Sequence, residues 1–232
     1  ERLFTFSSHS MSFKMLVDVG FWEKDIVSED SRIFLQAFFH YHGNYTVTPL
    51  YLPVSMDTVA GESYLEYLKN LYKQQRRWAC GVEHFPYMMV RFRRDPLIPL
   101  RKKFKYVWNH LEGMITWSTA PILIFILGWL PLAVAARRGE EATSVLVQNA
   151  PFTLEWLMRL AMIGVLGSAI VSLTLLPHPP AEKRHWHWAG MLLQWILLPI
   201  TFIIFGAFPA IDAQTRLMLG KYLGFNVTAK RR

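Results

Sequence analysis

Hydrophobic positions along this chain change in density partway through. Up to about Gly113, apolar residues recur at helical spacing or in short clusters; beyond it they fuse into three long runs, 115–136, 156–176 and 189–211. A helix rising about 1.5 Å per residue crosses ~30 Å of hydrocarbon in about the length of each run. The third run is broken by Pro199, Gly206 and Pro209 and continues into the amphipathic stretch "DAQTRLMLGKYLGF". It therefore reads as a kinked interfacial or re-entrant segment, with a full third crossing as the alternative.

The polar half carries its own pattern. "SFKMLVDVG" predicts a short helix closed by Gly20 in a left-handed cap, with Phe21 and Trp22 packing after it. "SEDSRIFLQAFFHYHG" predicts a second helix. Ser28 stands at its N-cap, Glu29 and Asp30 lie in a first turn where the helix dipole favours anions, Ile33, Phe34, Ala37 and Phe38 form its apolar face, and Gly43 ends it. "NYTVTPLYLPVSMDT", rich in β-branched and aromatic residues, reads as an edge strand. Tyr64, Leu65, Leu68, Leu71 and Tyr72 recur at helical spacing and predict an amphipathic helix ending near Gly81. Residues 96–113 mix a Lys/Arg cluster with Phe104, Tyr106, Val107 and Trp108, as an amphipathic helix in the headgroup region does.

Composition and charge sharpen this picture. With 52% hydrophobic and only 18% charged residues over 232 positions, the chain is too apolar for an ordinary soluble domain. The net charge of +8 comes from cations placed beside the apolar runs, in "RFRRDPLIPLRKKFK" and the terminal "KRR", which points to a membrane surface and away from nucleic acid. Arg91, Arg93, Arg94, Arg101, Lys102, Lys103 and Lys105 mark the side before the first run as cytoplasmic, and Arg216, Lys221, Lys230, Arg231 and Arg232 mark the tail likewise. The expected location is a multi-pass inner-membrane protein with its polar part in the cytosol. Cys80 is the single cysteine, which excludes a disulfide framework within the chain and reads as a small buried filler. The chain begins at Glu1 without methionine, which we read as an internal start.

Few side chains suggest chemistry by themselves. Asp30 and Glu29 are, in isolation, ordinary helix-start carboxylates. "HYH" at 40–42 and "HWHW" at 185–188 place histidines two apart, on different faces of a helix, and read as helix-end and interfacial residues rather than metal ligands. "NYT" and "NVT" fit the glycosylation pattern but fall on the side expected to be cytosolic. "QQRRWACG" at Gln74–Gly81 is the more telling cluster. Two guanidiniums and an indole there close a helix just ahead of the membrane region.

Taken in order, three motifs resemble the processive family 2 glycosyltransferases, the group of cellulose and hyaluronan synthases. "SED" (Ser28, Glu29, Asp30) is similar to that family's "TED", with serine in place of threonine. "QxxRW" is present as Gln74, Arg77 and Trp78. "FxVTxK" is present as Phe225, Val227, Thr228 and Lys230. The resemblance covers nearly the whole chain and implies the C-terminal portion of such an enzyme. The implied fold is α/β plus membrane α-helical: the end of a cytosolic GT-A-like domain (1–95), an interfacial helix (96–113), a transmembrane region with two or three spans (114–211), and a tail (212–232).

The same resemblance implies the roles. Asp30 is the catalytic base; Glu29, Gln74, Arg77 and Trp78 bind substrate or acceptor; Phe225, Val227, Thr228 and Lys230 belong to a gating loop. The donor would be a UDP-sugar and the acceptor a polysaccharide or glycolipid, with an accessory export subunit as a further partner. The Mg²⁺ or Mn²⁺ of the family would be bound upstream, since no "DxD" occurs here, and this portion alone is expected to be inactive. Chemistry agrees with these roles. A carboxylate can take the proton of an acceptor hydroxyl, a guanidinium stabilises a departing diphosphate, and an indole stacks on the C–H face of a sugar. The alternatives are transfer of one sugar to a lipid carrier, or a non-catalytic anchor or channel subunit. Arg76, about 100° around the helix from Arg77, is expected to be solvated or to meet lipid headgroups.

Overall fold

A computed structural model describes residues 5, 8–52, 54, 56, 58–138, 145–175, 190, 191 and 193–224. Two compact units are formed. One takes the chain up to Ser118 together with the residues from Phe205 on; the other is Thr119–Ile204.

The first unit is built from helices. Helix α1 (Phe13–Val19) starts where the Ser12 hydroxyl accepts the Met15 N–H at 3.1 Å and stops at Gly20, whose φ of 79° is the left-handed cap expected from the sequence. Helix α2 (Glu29–His40) buries more than the expected stripe: Leu35 and Phe39 are enclosed along with Ile33, Phe34, Ala37 and Phe38. A helix apolar on nearly every side belongs in a core, and here the core is aromatic. Phe38 packs on Tyr106 (4.5 Å between ring centres), Phe39 (5.7 Å) and Phe92 (6.2 Å), while Met88 and Ile98 fill the remaining space. Gly43 follows with φ 80°; a Cβ there would meet Ile98 at 3.3 Å and Phe38 at 3.4 Å, so the position needs glycine for both conformation and room.

No strand occurs among the described residues, so the edge strand expected at 44–58 is corrected: its described positions carry no regular secondary structure. β-Propensity reflects packing on a neighbouring strand, and no neighbour is present: Tyr51 is 93% exposed. Tyr45 and Val47 pack against the aromatic core, and Val59 is buried.

Helix α3 (Tyr64–Ala79) opens with Ser63 accepting the Glu66 N–H at 3.2 Å while the Glu66 carboxylate accepts the Glu62 N–H at 2.8 Å, a variant of the capping box. It tightens into a 3₁₀ turn at Cys80–Glu83, and helix α4 (His84–Arg94) follows directly. Helix α5 (Leu100–Arg138) is continuous over 39 residues, without a break at Gly113. Two lysines at its start reach back into the fold instead of into solvent: Lys102 Nζ donates to the Gly43 carbonyl at 2.9 Å, and Lys103 Nζ to those of Phe92 (2.6 Å) and Asp95 (2.7 Å). The latter supplies a cation to the open carbonyls at the end of α4.

Helix α6 (Val145–Leu175) lies within the second unit, its Leu157, Ile163 and Leu166 turned outward. The third apolar run is irregular, as its prolines and glycine predict: a 3₁₀ turn (Gln194–Leu197), helix α7 (Leu198–Phe202), a π-helical stretch (Ile203–Ala207) and helix α8 (Phe208–Met218). Its 25 residues, Gln194–Met218, still have the length and hydropathy of a crossing. With Leu100–Leu127 and Glu155–Leu175, three helices among the described residues are long and apolar enough to cross a membrane. The outward apolar side chains fit lipid contact.

One buried group has a consequence for acid stability. His84 is 1% exposed, with no hydrogen-bond partner for either ring nitrogen. Burial, then the neighbouring Arg32 charge and His110, push its imidazole down to about 2 from an ordinary 6.5. The unfolded chain binds a proton there that the folded one refuses, so stability is intact above pH 6.5 and falls as pH drops from 6.5 toward 2. The loss from His84 alone is expected to be roughly 1.4 kcal/mol at pH 5.5. Thermal unfolding of wild type and His84→Met at pH 7.5 and 5.5 checks this. The variant's midpoint is expected to fall less between the two values.

Candidate active site

Three of the residues singled out in the sequence, Glu29, Asp30 and Arg77, share one electrostatic neighbourhood at the start of α2. Ser28 holds the N-cap position, but its hydroxyl caps no amide of α2. It donates instead to Glu83 Oε1 at 2.5 Å, 55 positions on, in the 3₁₀ turn that follows α3. The capping role expected for the Ser28 side chain is thus corrected: the hydroxyl donates a charge-assisted bond to a carboxylate brought in by the fold and accepts from no amide of α2.

The neighbouring residue is fixed from another direction. The Val27 N–H donates to the Tyr222 hydroxyl at 2.9 Å. Tyr222 is pushed up to about 12 by burial, by the Glu83 charge and by a hydrogen bond with Glu83, so its phenol stays protonated. Thr5 Oγ1 donates to the Asp30 carbonyl. Three separate stretches therefore pin the backbone around Glu29 and Asp30.

Glu29 lies half-buried within this cluster. Burial raises its carboxyl above the usual range, the negative charges of Asp30 and Glu83 push the same way, and the Arg77 guanidinium opposes them. Asp30, beside it, is half-exposed. The structure thus brings Glu29, Asp30 and Arg77 into one electrostatic neighbourhood. Gln74, one turn before Trp78 on α3, is half-exposed, and the Trp78 ring is 51% exposed at the helix end. Phe225, Val227, Thr228 and Lys230 lie outside the described residues; Tyr222 anchors the chain three positions before the first of them.

Arg76 and Arg77 diverge as consecutive helix positions must. Arg76 does not face solvent or headgroups: its Nη1 lies 2.8 Å from Asp212 Oδ2 on α8, while Arg216 Nε takes Asp212 Oδ1 at 2.6 Å. The expectation of a solvated Arg76 is corrected by this pairing. Below it the two helices meet closely, with Ala79 and Cys80 against Ala210 and Ala213. Small side chains at all four positions permit that approach. Cys80 is fully buried and its thiol is pushed up to about 11, chiefly by burial, which keeps it protonated and inert.

Glu83, Tyr222 and Asp212 escaped sequence reasoning. A signal existed for Asp212, an ionisable residue closing a long apolar run, which is a site candidate by default. Glu83 and Tyr222 carry no local mark. Among the described residues no group of three or more His, Cys, Asp or Glu side chains is placed to hold a metal ion, so the Mg²⁺ or Mn²⁺ implied by resemblance has no ligand set there. The arrangement offers two carboxylates in the first turn of a helix, a guanidinium whose charge reaches one of them, and an exposed indole at the next position after that arginine. No family model, curated protein or solved structure matches this chain.

Proposed function

We propose that this chain is the C-terminal portion of a membrane-bound, inverting glycosyltransferase that extends a β-linked polysaccharide from a UDP-sugar on the cytosolic face of the inner membrane. The observation that carries the reading is that the Arg77 charge acts on Glu29, linking "SED" and "QQRRW" across more than forty positions, while the Ser28–Glu83 hydrogen bond ties "SED" to the turn that follows the second motif. A GT-A-like α/β sheet and the donor and metal sites would lie upstream of Glu1.

In the proposed reaction Asp30 removes the proton of an acceptor hydroxyl as that oxygen bonds to the anomeric carbon of the donor sugar, and the bond from that carbon to the diphosphate breaks. Arg77 stabilises the negative charge on the departing UDP through paired N–H donors, with Gln74 adding a neutral donor. Glu29 contacts the acceptor. Trp78 offers its exposed face to the acceptor ring. Phe225, Val227, Thr228 and Lys230 take the gating role that the resemblance implies. The helices from α5 on would carry the polymer out, with an export subunit beyond.

Membranes containing the full-length protein are expected to incorporate labelled sugar from one member of a UDP-sugar panel. Incorporation from none, at normal membrane insertion, would favour an anchor or channel subunit and overturn the proposal.

A further inference from the structure

A second site lies away from this cluster, where α4 and the start of α5 diverge. The cleft between them has a volume of about 630 Å³ and walls formed by Met89, Val90, Leu100 and Phe104, with Arg93 and Lys103 among its lining residues. The walls are open: Leu100 is 80% and Phe104 69% exposed. A soluble protein rarely leaves so many large apolar side chains together at its surface.

Charge identifies the occupant. Seven cations, Arg91, Arg93, Arg94, Arg101, Lys102, Lys103 and Lys105, stand between positions 91 and 105 with one acid, Asp95. Asp95 is already engaged, 2.8 Å from His42 Nδ1 and accepting the Leu97 N–H at 3.0 Å. Lys103 is held by the carbonyls of Phe92 and Asp95. Arg93 is exposed and has no carboxylate partner among the described residues. The helix that forms one wall is the one that runs on as the candidate span Leu100–Leu127. An apolar cleft with a basic rim, at the foot of a membrane helix, suits a ligand that has both an acyl chain and a phosphate.

We propose that this cleft binds an anionic phospholipid of the surrounding bilayer. One acyl chain lies along Val90, Leu100 and Phe104, and the phosphate accepts paired N–H bonds from Arg93. The proposal requires only that α5 enters a bilayer and is independent of the glycosyltransferase reading.

The test uses the full chain purified in detergent, incubated with phosphatidylglycerol or with phosphatidylcholine of identical acyl chains, and the lipid retained per protein after gel filtration. Wild type is expected to retain phosphatidylglycerol about fivefold more tightly, the equivalent of about 1 kcal/mol for one cation at an anionic surface. Arg93→Gln is expected to remove that preference while still holding both lipids; Val90→Asp, on an exposed wall position, is expected to hold neither. Equal retention of the two lipids by wild type would overturn the proposal, as would unchanged retention by both variants. Displacement of phosphatidylglycerol by inorganic phosphate at matching concentration would also overturn it, since the site would then read a free anion and not a lipid.

Discussion

Asp30→Asn, made in the full-length protein, is expected to lower the rate of sugar transfer by about 10²–10⁴-fold, with the KM for the donor little changed. Asparagine keeps the size of the side chain and remains compatible with a helix first turn, so the start of α2 survives; only the capacity to take a proton is lost. The backbone around position 30 is held by contacts that do not use the Asp30 carboxylate: Thr5 bonds the Asp30 carbonyl, Ser28 bonds Glu83, and Tyr222 receives the Val27 N–H. A fall in rate therefore reports chemistry and not collapse of the site. Glu29→Gln provides the comparison. Its carboxyl is half-buried and only partly offset by Arg77, so its loss is expected to alter acceptor KM more than turnover. Initial rates at several donor and acceptor concentrations separate the two. Equal rates for Asp30→Asn and wild type would remove Asp30 from the role of base.

The second large effect is on stability. Phe38→Ala is expected to destabilise the first unit by about 3–5 kcal/mol, the range for an aromatic deleted from a packed core. Phe38 is 1% exposed, and its ring stands at the centre of contacts from α2, α4 and α5, with Tyr106 nearest at 4.5 Å. These neighbours are themselves fixed by Lys102 and Lys103 bonds to the backbone, so collapse around the void is restricted. Phe13→Ala, at an exposed position on α1, is expected to cost less than about 0.5 kcal/mol. Thermal unfolding of both variants in the same detergent checks the contrast.

What the sequence disclosed was mostly local. The left-handed stop at Gly20, the start of α2 after Ser28 and the end of α3 near Gly81 follow from caps and periodicity, which need only neighbouring residues. The membrane runs follow from length and hydropathy. Errors came where a distant partner decides. Residues 44–58 have strand-forming side chains but meet no strand among the described residues. Arg76 looks solvent-bound until α8 supplies Asp212. Ser28 looks like a cap until the turn after α3 offers Glu83. The aromatic core, too, extends past the stripe that a helical wheel assigns to α2, because α4 and α5 cover Leu35 and Phe39 from the other side.

Of the candidate site, the motif residues were legible as types and spacings, while the framework that holds them was not. Tyr222 and Glu83 act on backbone and hydroxyl groups of residues 27 and 28, and such contacts leave no periodic trace. Glu29, Asp30, Gln74, Arg77 and Trp78 were named from the sequence; the described structure brings Glu29, Asp30 and Arg77 into one electrostatic neighbourhood. Phe225, Val227, Thr228 and Lys230 lie beyond the described residues.

The most direct measurement is the size of the labelled product that membranes with the full-length protein make from the accepted UDP-sugar. Processive polymerisation predicts material of high molecular weight, water-soluble or pelletable and degraded by a β-specific glycosidase, appearing while most acceptors are still unextended. Label confined to a solvent-extractable lipid carrying a single sugar would contradict it.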